Sequence, residues 1–323
     1  MGKNILMLIG LEDHYIDRIK KAAPNCDFIF AKPNAVTQEQ IQAANVILGN
    51  PPAEMLQGCT QLDLICLNSA GANNYCEKGV LPKGVLLTNA TGAYGLMIGE
   101  WLVGMLLNIY NYFPQYKEHQ HQNRWERLKS KHHTVSGSTV LVVGAGDIGG
   151  RFARHAKNLG AYTIGLRRSS LKKPDYLDEV HLSTSLDELL PRADVVALCL
   201  PSTGDTYQIM NKARLSLMRE DAVLLNVGRG TAIDTEALIE CLQTGKLLGV
   251  GMDVTDPEPL PADSPLWQMR NVHITPHTSG SSSFEQAKDV LADIFCQNLQ
   301  AYLGKGEYRN IVDLSTGYRK LDD

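Results

Sequence analysis

Short apolar runs alternate with longer amphipathic stretches through the second half of the chain. Continuous apolar runs of this kind are typical of strands that are buried on both faces of a parallel sheet. Helical stretches separate several of them, notably 149–159, 186–190 and 235–243. The pattern predicts a doubly wound α/β domain with six parallel strands. The six runs are Val140–Val143, Tyr162–Leu166, Val195–Leu200, Ala222–Asn226, Leu248–Met252 and Val272–Thr275.

A smaller α/β pattern occupies the first part of the chain. Two longer helices are also predicted, one over about 96–112 and one over Phe284–Tyr302. The first of these is apolar almost all round, which predicts burial between layers or in a subunit interface. We therefore expect two α/β domains, each with a parallel sheet. The strands predicted for the smaller domain are 4–9, Val46–Leu48, Leu64–Leu67 and Leu86–Thr88, with a helix over 15–23.

The composition is that of an ordinary globular protein. The 323 residues are 44% apolar and 20% charged, and the formal net charge of −4 gives no reason to expect nucleic acid or an anionic membrane as a partner. The seven cysteines are scattered and lack C-x-x-C spacing, which favours a reducing compartment and argues against a zinc site. We find no signal-peptide pattern and no apolar run long enough for a membrane span, and we expect a cytoplasmic protein.

Three glycines stand where the first of the six strands gives way to a helix. Gly144, Gly146 and Gly149 have the spacing G-x-G-x-x-G, with Asp147 and Ile148 between the last two. The first glycine permits a tight turn, the second lets the backbone approach a pyrophosphate, and the third lets the helix pack closely on the strand. The helix N-terminus adds backbone N–H groups and partial positive charge. The motif predicts dinucleotide binding by a Rossmann-type domain, against the alternative of a chance glycine-rich turn.

Polar residues follow the carboxyl ends of the later strands, where ligands of doubly wound sheets bind. Taken singly, Arg229 could form a structural ion pair, Glu258 could be a surface acid and His277 could be an ordinary loop residue. Because arginine, glutamate and histidine follow three successive strands, we expect them to converge on one edge of the sheet. In chain order the strand-end residues are Arg167, Arg168 and Ser169, then Pro201, then Val227, Gly228 and Arg229, then Asp253 and Glu258, then His277.

These three types of side chain can together polarise a carbonyl group and exchange a proton with it. A guanidinium such as that of Arg229 can bind a carboxylate with two bonds and polarise the neighbouring carbonyl. An imidazole such as that of His277 can donate a proton to the forming alkoxide and take it back in the reverse direction. A carboxylate such as that of Glu258 would orient the imidazole and stabilise its charged form. We predict that these three residues carry catalysis.

The segments NVGRG, DVTDPEP and ITPH, in this order after the glycine motif, resemble the D-isomer-specific 2-hydroxyacid dehydrogenases. That family includes phosphoglycerate dehydrogenases and glyoxylate/hydroxypyruvate reductases, and the resemblance is to members without a C-terminal regulatory domain. It implies a Rossmann dinucleotide-binding domain at 97–284 and a smaller flavodoxin-like substrate domain at 1–96, completed by 285–323. It also implies the reaction, which is the reduction of a 2-oxo acid by hydride and its reverse, and the three catalytic roles given above.

The resemblance further implies which residues bind the ligands. Ala70 and Gly71 would bind the substrate carboxylate through backbone N–H groups, together with Arg229 and His277, although Asn73 stands where the family often has aspartate. Asp253 would contact the nicotinamide carboxamide, and the alternative is an aspartate that only shapes the turn after its strand. Outside the glycine motif and the second strand, the implied cofactor contacts are Leu200, Pro201, Val227, Gly228, Arg229, Asp253, His277 and Gly280.

The residues after the second strand of the series predict the cofactor. An NAD enzyme is expected to have an acid there for the ribose 2′-hydroxyl, whereas this chain has Arg167, Arg168 and Ser169. Two guanidiniums can bind a 2′-phosphate through charge-assisted hydrogen bonds. We therefore favour NADP(H), with NAD(H) as the alternative if both arginines are simply solvated cations.

The leading hypothesis is an NADP(H)-dependent oxidoreductase that acts on a small 2-oxo acid such as glyoxylate or hydroxypyruvate. The alternatives are a phosphoglycerate dehydrogenase-like enzyme that uses NAD and a dinucleotide-sensing, corepressor-like interaction protein. We expect a homodimer in contact through the helix at about 96–112. Residues 117–133 contain four histidines, which we interpret as a solvated or interface surface and not as a metal site.

Overall fold

The computed structural model describes residues 2–281 and 283–320, and the chain divides into two compact units. Unit 1 consists of Met1–Tyr94 and Ser281–Asp323, and unit 2 of Gly95–Gly280. The chain therefore passes between the units after Tyr94 and after Gly280, whereas the sequence placed these points after residues 96 and 284.

Both units are built of strands and helices, and the strands belong to two parallel sheets except the last two, which pair with each other in antiparallel fashion. The strands are β1 (Lys3–Met7), β2 (Cys26–Phe30), β3 (Val46–Leu48), β4 (Leu64–Cys66), β5 (Leu86–Thr88), β6 (Thr139–Val143), β7 (Tyr162–Arg167), β8 (Glu179–Leu182), β9 (Val195–Leu198), β10 (Ala222–Asn226), β11 (Leu247–Met252), β12 (Val272–Ile274), β13 (Val312–Asp313) and β14 (Tyr318–Arg319). The α-helices are α1 (Asp13–Ala22), α2 (Gln38–Ala43), α3 (Asn73–Cys76), α4 (Gly95–Tyr110), α5 (Phe113–His121), α6 (Asp147–Asn158), α7 (Leu186–Leu189), α8 (Lys212–Leu217), α9 (Thr235–Gln243) and α10 (Glu285–Tyr302).

Unit 1 contains a five-stranded parallel sheet in the order β2-β1-β3-β4-β5. This is the flavodoxin-like order, in which the chain reverses direction across the sheet between β1 and β3. Helices α1 and α10 pack on one face, where Leu291, Phe295 and Leu299 join Ile5 and Met7 in a core that excludes water. The sequence did not predict β2, an edge strand in which none of the five residues is fully buried and whose apolar residues are interrupted by Asp27.

Unit 2 contains a seven-stranded parallel sheet in the order β12-β11-β10-β9-β6-β7-β8. This is the Rossmann arrangement, with the reversal of strand order between β6 and β9. The prediction of six strands is wrong by one, because β8 at the sheet edge was missed. All four residues of β8 are half-buried and two of them are polar, so the strand lacks the apolar run that marks strands buried on both faces.

Helix α4 lies on the sheet of unit 2, as its apolar surface predicted. Two glycines of β11 make room for it: a side-chain carbon at Gly249 would lie 2.7 Å from Cγ2 of Ile109, and one at Gly251 would overlap Met105. The helix is thereby held on the strand that precedes Asp253. Among the described residues, none of the helices has both the length and the apolarity that a membrane crossing requires.

Candidate active site

The glycine motif forms a turn in which neighbouring protein atoms leave no room for a side chain at two of the three glycines. Gly144 has a φ of +96°, and a side-chain carbon on it would lie 2.6 Å from the Cys199 carbonyl oxygen. A side-chain carbon on Gly149 would overlap the Gly144 carbonyl and lie 2.6 Å from Cγ1 of Val142. The helix α6 therefore begins directly against β6. At Gly146, by contrast, a side-chain carbon would meet nothing within 4 Å, so the open space beside it fits a ligand that approaches the backbone.

The side chain of Asp147 points towards helix α4. A side-chain carbon on Gly95 would lie 2.5 Å from Oδ1 of Asp147, which places this carboxylate at the first turn of α4. A helix N-terminus carries partial positive charge and stabilises an anion there. The negative charge of Asp147 is therefore directed at α4, and the predicted dinucleotide contact of Asp147 and Ile148 would be made by the backbone of the first turn of α6.

The end of β7 carries the arginines predicted to select the cofactor. Arg167 is half-buried, and its Nη1 donates a hydrogen bond of 3.1 Å to the Lys172 carbonyl oxygen. Its Nε is buried and has no partner among residues 2–281 and 283–320. Arg168 and Ser169 are exposed. The structure thus separates the two arginines: one closes the loop that follows β7, and the other faces solvent.

The loop after β7 returns to the glycine motif. Leu177 is 1% exposed, and a side-chain carbon on Gly165 would meet both Leu177 and Ala145 of the motif. The hydroxyl of Tyr176 lies 2.8 Å from where a side-chain carbon of Gly150 would be, in the first turn of α6. These contacts place the cationic segment 167–173 beside the turn of the glycine motif, which we call the dinucleotide turn.

The segment NVGRG is fixed by glycines that pack against neighbouring strand ends. A side-chain carbon on Gly228 would lie 2.8 Å from the Leu200 backbone nitrogen, and one on Gly230 would overlap the Thr255 carbonyl. Leu200 and the adjoining Pro201 therefore lie beside Val227 and Gly228, as expected for segments that line one ligand. Arg229 stands between the two close contacts, half-buried, and its Nη1 donates a 2.6 Å hydrogen bond to the Gly228 carbonyl.

Glu258 and His277 form the most direct pair of the site. Nδ1 of His277 lies 2.6 Å from Oε1 of Glu258, and the two side chains are 50% and 41% exposed. With Nδ1 bonded to the carboxylate, Nε2 is the nitrogen that remains for a substrate. His277 has a φ of +52°, an uncommon conformation for a residue other than glycine, which often marks functional positions.

The three predicted catalytic residues follow three neighbouring strands. Arg229 comes after β10, Glu258 after β11 and His277 after β12, and these strands are adjacent in the sheet. The strand ends that precede them are therefore separated by at most two strand spacings, roughly 10 Å. Long side chains can span that distance around one small molecule. Gly280, a predicted cofactor contact, ends unit 2 three residues after His277.

Comparison with known proteins identifies the family. A family model described as "D-isomer specific 2-hydroxyacid dehydrogenase, NAD binding domain" matches residues 103–279, more than half of the chain. The chain belongs to the D-isomer specific 2-hydroxyacid dehydrogenase family. It is therefore an NAD(P)-dependent oxidoreductase of the 2-hydroxyacid type, and a small 2-oxo or 2-hydroxy acid is its class of substrate.

Relatives resemble this dehydrogenase over nearly its whole length. A glyoxylate reductase from Korarchaeum cryptofilum is 28% identical over 91% of this chain and 89% of its own. The solved structure of a D-isomer specific 2-hydroxyacid dehydrogenase family protein from Aeromonas salmonicida is 30% identical, covers 97% of this chain and 100% of that chain, and has a TM-score of 0.85. An NADPH-dependent glyoxylate/hydroxypyruvate reductase from Sinorhizobium meliloti, solved with NADP and sulfate, shares the fold at a TM-score of 0.82 and 24% identity, over 98% of this chain and 100% of that chain.

In this dehydrogenase Asp253 organises the loop that carries the histidine. Its side chain is 1% exposed, and its two oxygens accept hydrogen bonds from the Thr275 hydroxyl, the Thr278 and Ser279 backbone N–H groups and the Ser279 hydroxyl. The Asp253 carbonyl also accepts from the His277 backbone N–H at 2.8 Å. Four donors occupy the lone pairs of a carboxylate, so this geometry favours the strand-end role over a contact with nicotinamide.

Asn226 is a positioning residue that the sequence reasoning missed. It ends β10, is 0% exposed, and its amide bonds both the Arg229 carbonyl and the Gly228 N–H at 3.0 Å. The sequence feature that could have indicated Asn226 is a single polar residue at the end of an otherwise apolar strand. The same feature marks Asp253, and in both cases the side chain shapes the backbone next to a residue predicted to be catalytic.

The loop predicted to bind the substrate carboxylate lies in unit 1 after β4. Ser69 Oγ donates to the Gly71 carbonyl at 2.7 Å, and Asn89 Nδ2 donates to the Ala70 carbonyl at 2.8 Å. Both bonds use carbonyl groups, which leaves the N–H side of the loop for an anion. Asn73, which departs from the family pattern, is the first residue of helix α3.

The histidines of 117–133 do not form a metal centre among the residues that the structure describes. His119 is buried, with Nδ1 3.3 Å from the Glu126 carbonyl, and His133 stacks on Tyr110. Most of segment 120–129 is exposed.

Proposed function

We propose that this dehydrogenase reduces small 2-oxo acids of the glyoxylate and hydroxypyruvate type with NADPH. The observation that carries the proposal is the 2.6 Å contact between His277 Nδ1 and Glu258 Oε1, beside the strand end that carries Arg229. Reduction of a carbonyl to an alcohol consumes one hydride and one proton. A carboxylate-bound imidazole is a suitable source of that proton.

His277 is the proposed proton donor. When bound, the reduced nicotinamide supplies the hydride to the carbonyl carbon. His277 donates its Nε2 proton to the carbonyl oxygen, so that the 2-hydroxy acid leaves neutral at that oxygen. Glu258 accepts the hydrogen bond from Nδ1–H throughout, which fixes the tautomer and stabilises the imidazolium before transfer. In oxidation the neutral imidazole takes the proton back.

Arg229 is the proposed substrate clamp. Its guanidinium is permanently charged and can bind the substrate carboxylate with two parallel hydrogen bonds. The bond from Nη1 to the Gly228 carbonyl restrains the side chain before substrate arrives, so less entropy is lost on binding. In unit 1, the backbone N–H groups of Ala70 and Gly71 are the proposed complement, which makes unit 1 the substrate domain.

The charge balance around the β7 loop supports NADP(H) over NAD(H). Segment 167–173 contains Arg167, Arg168, Lys172 and Lys173 and no acid. The nearest acids along the chain are already paired with cations of α6: Asp175 with Arg154 at 3.3 Å, and Asp178 with Lys157. The loop therefore keeps an excess of positive charge beside the dinucleotide turn, which suits the 2′-phosphate of NADP(H).

We further propose a homodimer. Helix α4 and the segment after it, residues 113–133, are the proposed contact. Phe113 is 56% exposed and Trp125 is fully exposed, and large aromatic side chains are enriched in interfaces between proteins. Sedimentation equilibrium should give twice the mass of one chain, and a monomer at micromolar concentration would contradict this part of the proposal.

A spectrophotometric screen tests the proposed function. The purified protein is mixed with NADPH or NADH and a series of 2-oxo acids: glyoxylate, hydroxypyruvate, pyruvate, oxaloacetate and 3-phosphohydroxypyruvate. We expect saturable oxidation of NADPH with glyoxylate and hydroxypyruvate, and a higher kcat/KM for NADPH than for NADH. Turnover only with the phosphorylated substrate and NADH would contradict it.

A further inference from the structure

Two asparagines stand side by side at the carboxyl edge of the unit 1 sheet. Asn50 follows β3 and Asn68 follows β4, and these strands are neighbours. Oδ1 of Asn50 accepts a 3.1 Å hydrogen bond from the Asn68 backbone N–H. Asn68 directly precedes the loop of Ala70 and Gly71, so both amides lie next to the segment proposed to bind the substrate carboxylate.

The backbone around both asparagines is held in place. Gly49 has a φ of +122°, and a side-chain carbon on it would lie 3.0 Å from Cβ of Leu8. The carbonyl of Pro51 accepts a 2.8 Å hydrogen bond from the Tyr75 hydroxyl, and the carbonyl of Asn68 accepts one from the Tyr94 hydroxyl. A pair fixed in this way can bind a ligand with little loss of conformational entropy.

Both side chains retain hydrogen-bonding capacity. Asn50 and Asn68 are half-buried, and within residues 2–281 and 283–320 neither the Asn50 Nδ2 group nor the Asn68 side-chain amide has a hydrogen-bond partner. A side-chain amide offers two N–H donors and one carbonyl acceptor. That combination matches a hydroxyl group, which both donates and accepts.

The charge at this edge also favours a neutral group. The segments that follow β1, β3, β4 and β5 are 8–12, 49–53, 67–73 and 89–94, and Glu12 is their one charged residue. Glu12 is paired with Lys288. One cation from elsewhere reaches the edge at β5, where Nη2 of Arg309 lies 3.3 Å from where a side-chain carbon of Gly92 would be. A phosphate or second carboxylate beside the two amides would have no counter-charge within these segments.

We propose that Asn50 and Asn68 form the subsite for the substrate's C3 substituent and select 2-oxo acids with a hydroxyl there, as in hydroxypyruvate. The proposal rests on the proposed function, because it names the substrate group that the same reaction would recognise. An uncharged site that hydrogen-bonds a hydroxyl discriminates against the analogue that lacks it, since the amides are then left unpaired. It also discriminates against the phosphorylated homologue, which carries uncompensated charge.

The test compares hydroxypyruvate with pyruvate, which differs from it only by the missing hydroxyl. The variant Asn68→Ala removes the amide and keeps the backbone bonds of Asn68. Asn74→Ala, an exposed asparagine of the same unit, is the matched control. We expect Asn68→Ala and Asn50→Ala each to lower the ratio of kcat/KM for hydroxypyruvate over pyruvate by about tenfold, the effect of one lost hydrogen bond. The kcat/KM for glyoxylate, which has no C3 substituent, should fall less in Asn68→Ala than the kcat/KM for hydroxypyruvate, because glyoxylate makes no hydrogen bond to the Asn68 side-chain amide.

The outcomes separate this inference from the function on which it rests. Turnover of 2-oxo acids with an unchanged hydroxypyruvate-to-pyruvate ratio in both variants would overturn the subsite and leave the proposed function standing. Absence of turnover with any 2-oxo acid would overturn the proposed function and the subsite with it. A wild-type preference for oxaloacetate that is lost in Arg309→Gln would place the distal subsite at the β5 loop and overturn the assignment to the asparagines. Thermal unfolding of each variant checks that the fold is kept.

Discussion

The two sheets of this dehydrogenase present very different chemistry at equivalent edges. At the carboxyl edge of unit 2, Arg229, Glu258 and His277 follow three adjacent strands, and segment 167–173 adds further cations. The same edge of unit 1 is built of small and amide residues with almost no charge. Both edges are ligand positions in doubly wound sheets. The contrast supports a division in which unit 2 supplies the groups that move charge and unit 1 supplies neutral contacts that read the substrate.

Buried polar residues are used alike in both units. Asn226 and Asp253 shape the loops of unit 2, while the buried Asn298 bonds both the backbone N–H and the carbonyl of Arg309 in unit 1. Each of these side chains is satisfied, as groups removed from water must be. The two edges therefore differ in the residues that they expose, whereas in both units buried polar side chains hydrogen-bond to the backbone of the loops.

The largest effect should follow loss of the proton donor. We expect His277→Gln to lower kcat for hydroxypyruvate by about 10²–10⁴-fold, the usual contribution of a positioned acid or base. NADPH binding, measured by fluorescence titration, should change little. His181→Gln is the matched control, because His181 is also a histidine of unit 2 paired with a glutamate, Glu179, at 2.7 Å. Equal activity in the two variants would remove His277 from the mechanism.

The next largest effect should come from the clamp. Arg229→Lys keeps the charge but loses the planar, two-pronged donor. We expect a cost of about 2–4 kcal/mol in transition-state stabilisation, seen as a fall in kcat together with a rise in KM for the 2-oxo acid. Kinetics close to wild type would show that a point charge suffices, and the proposed bidentate contact would then be wrong.

A smaller effect should appear in cofactor choice. Arg168→Ser removes the exposed guanidinium after β7, and we expect kcat/KM for NADPH to fall about tenfold or more, as for loss of a charge-assisted hydrogen bond. The value for NADH should stay nearly constant because NADH lacks the 2′-phosphate. Lys212→Ser, which removes another exposed cation of unit 2, is the control. A parallel loss with both cofactors would contradict selection through the phosphate.

The smallest effect should come from Glu179, whose charge stabilises the edge strand β8 and has no proposed role in ligand binding. Glu179 on β8 accepts hydrogen bonds from Arg192, His181 and Tyr162. These bonds, and the one from the Arg192 guanidinium most of all, lower the pKa of Glu179 to about 2. A carboxylate whose pKa is lowered by folding stabilises the folded state fully at pH values above its pKa in the unfolded chain, 4.5. That stabilisation is lost as the pH falls towards 2. Because the group is near the surface, we expect Glu179→Gln to cost about 1 kcal/mol of unfolding free energy.

Urea unfolding of the wild type and Glu179→Gln at pH 7 and pH 3 checks this prediction. The difference between the two proteins should shrink at pH 3. A constant difference would show that the carboxylate charge does not stabilise β8. Activity at pH 7 should be unchanged, which would separate structural charge at the β8 edge from the charge proposed to act in catalysis at the β10–β12 edge.

Much of unit 2 could be predicted from the sequence because buried parallel strands leave continuous apolar runs. The glycine spacing predicted the turn between β6 and α6, and the residues that follow the strands gave Arg229, Glu258 and His277 as the catalytic candidates. The edge strands β2 and β8 were missed because they are only partly buried and include polar residues, Asp27 in β2 and Glu179 and His181 in β8. The pairing of His277 with Glu258 through Nδ1 required coordinates, since an interval of 19 residues fixes no distance.

The direction of buried side chains also lay beyond the sequence. The amino-acid sequence does not indicate that the Asp147 side chain points towards α4 or that Arg167 donates a hydrogen bond within its own loop. It also does not indicate that the Asp253 carboxylate accepts four hydrogen bonds. Each depends on which backbone N–H groups the tertiary fold leaves nearby. The amide pair of Asn50 and Asn68 was invisible for the same reason, because 18 residues separate its members along the chain.

The central claim is that the Glu258–His277 pair protonates the carbonyl oxygen of a 2-oxo acid while NADPH is oxidised. The most direct test is the initial rate of NADPH oxidation with hydroxypyruvate for the wild type and for Glu258→Gln, with NADPH affinity measured in both. We expect saturable turnover in the wild type and a fall of about tenfold to a hundredfold in the variant at equal NADPH affinity. Equal rates in the two proteins, or no NADPH oxidation by the wild type, would contradict it.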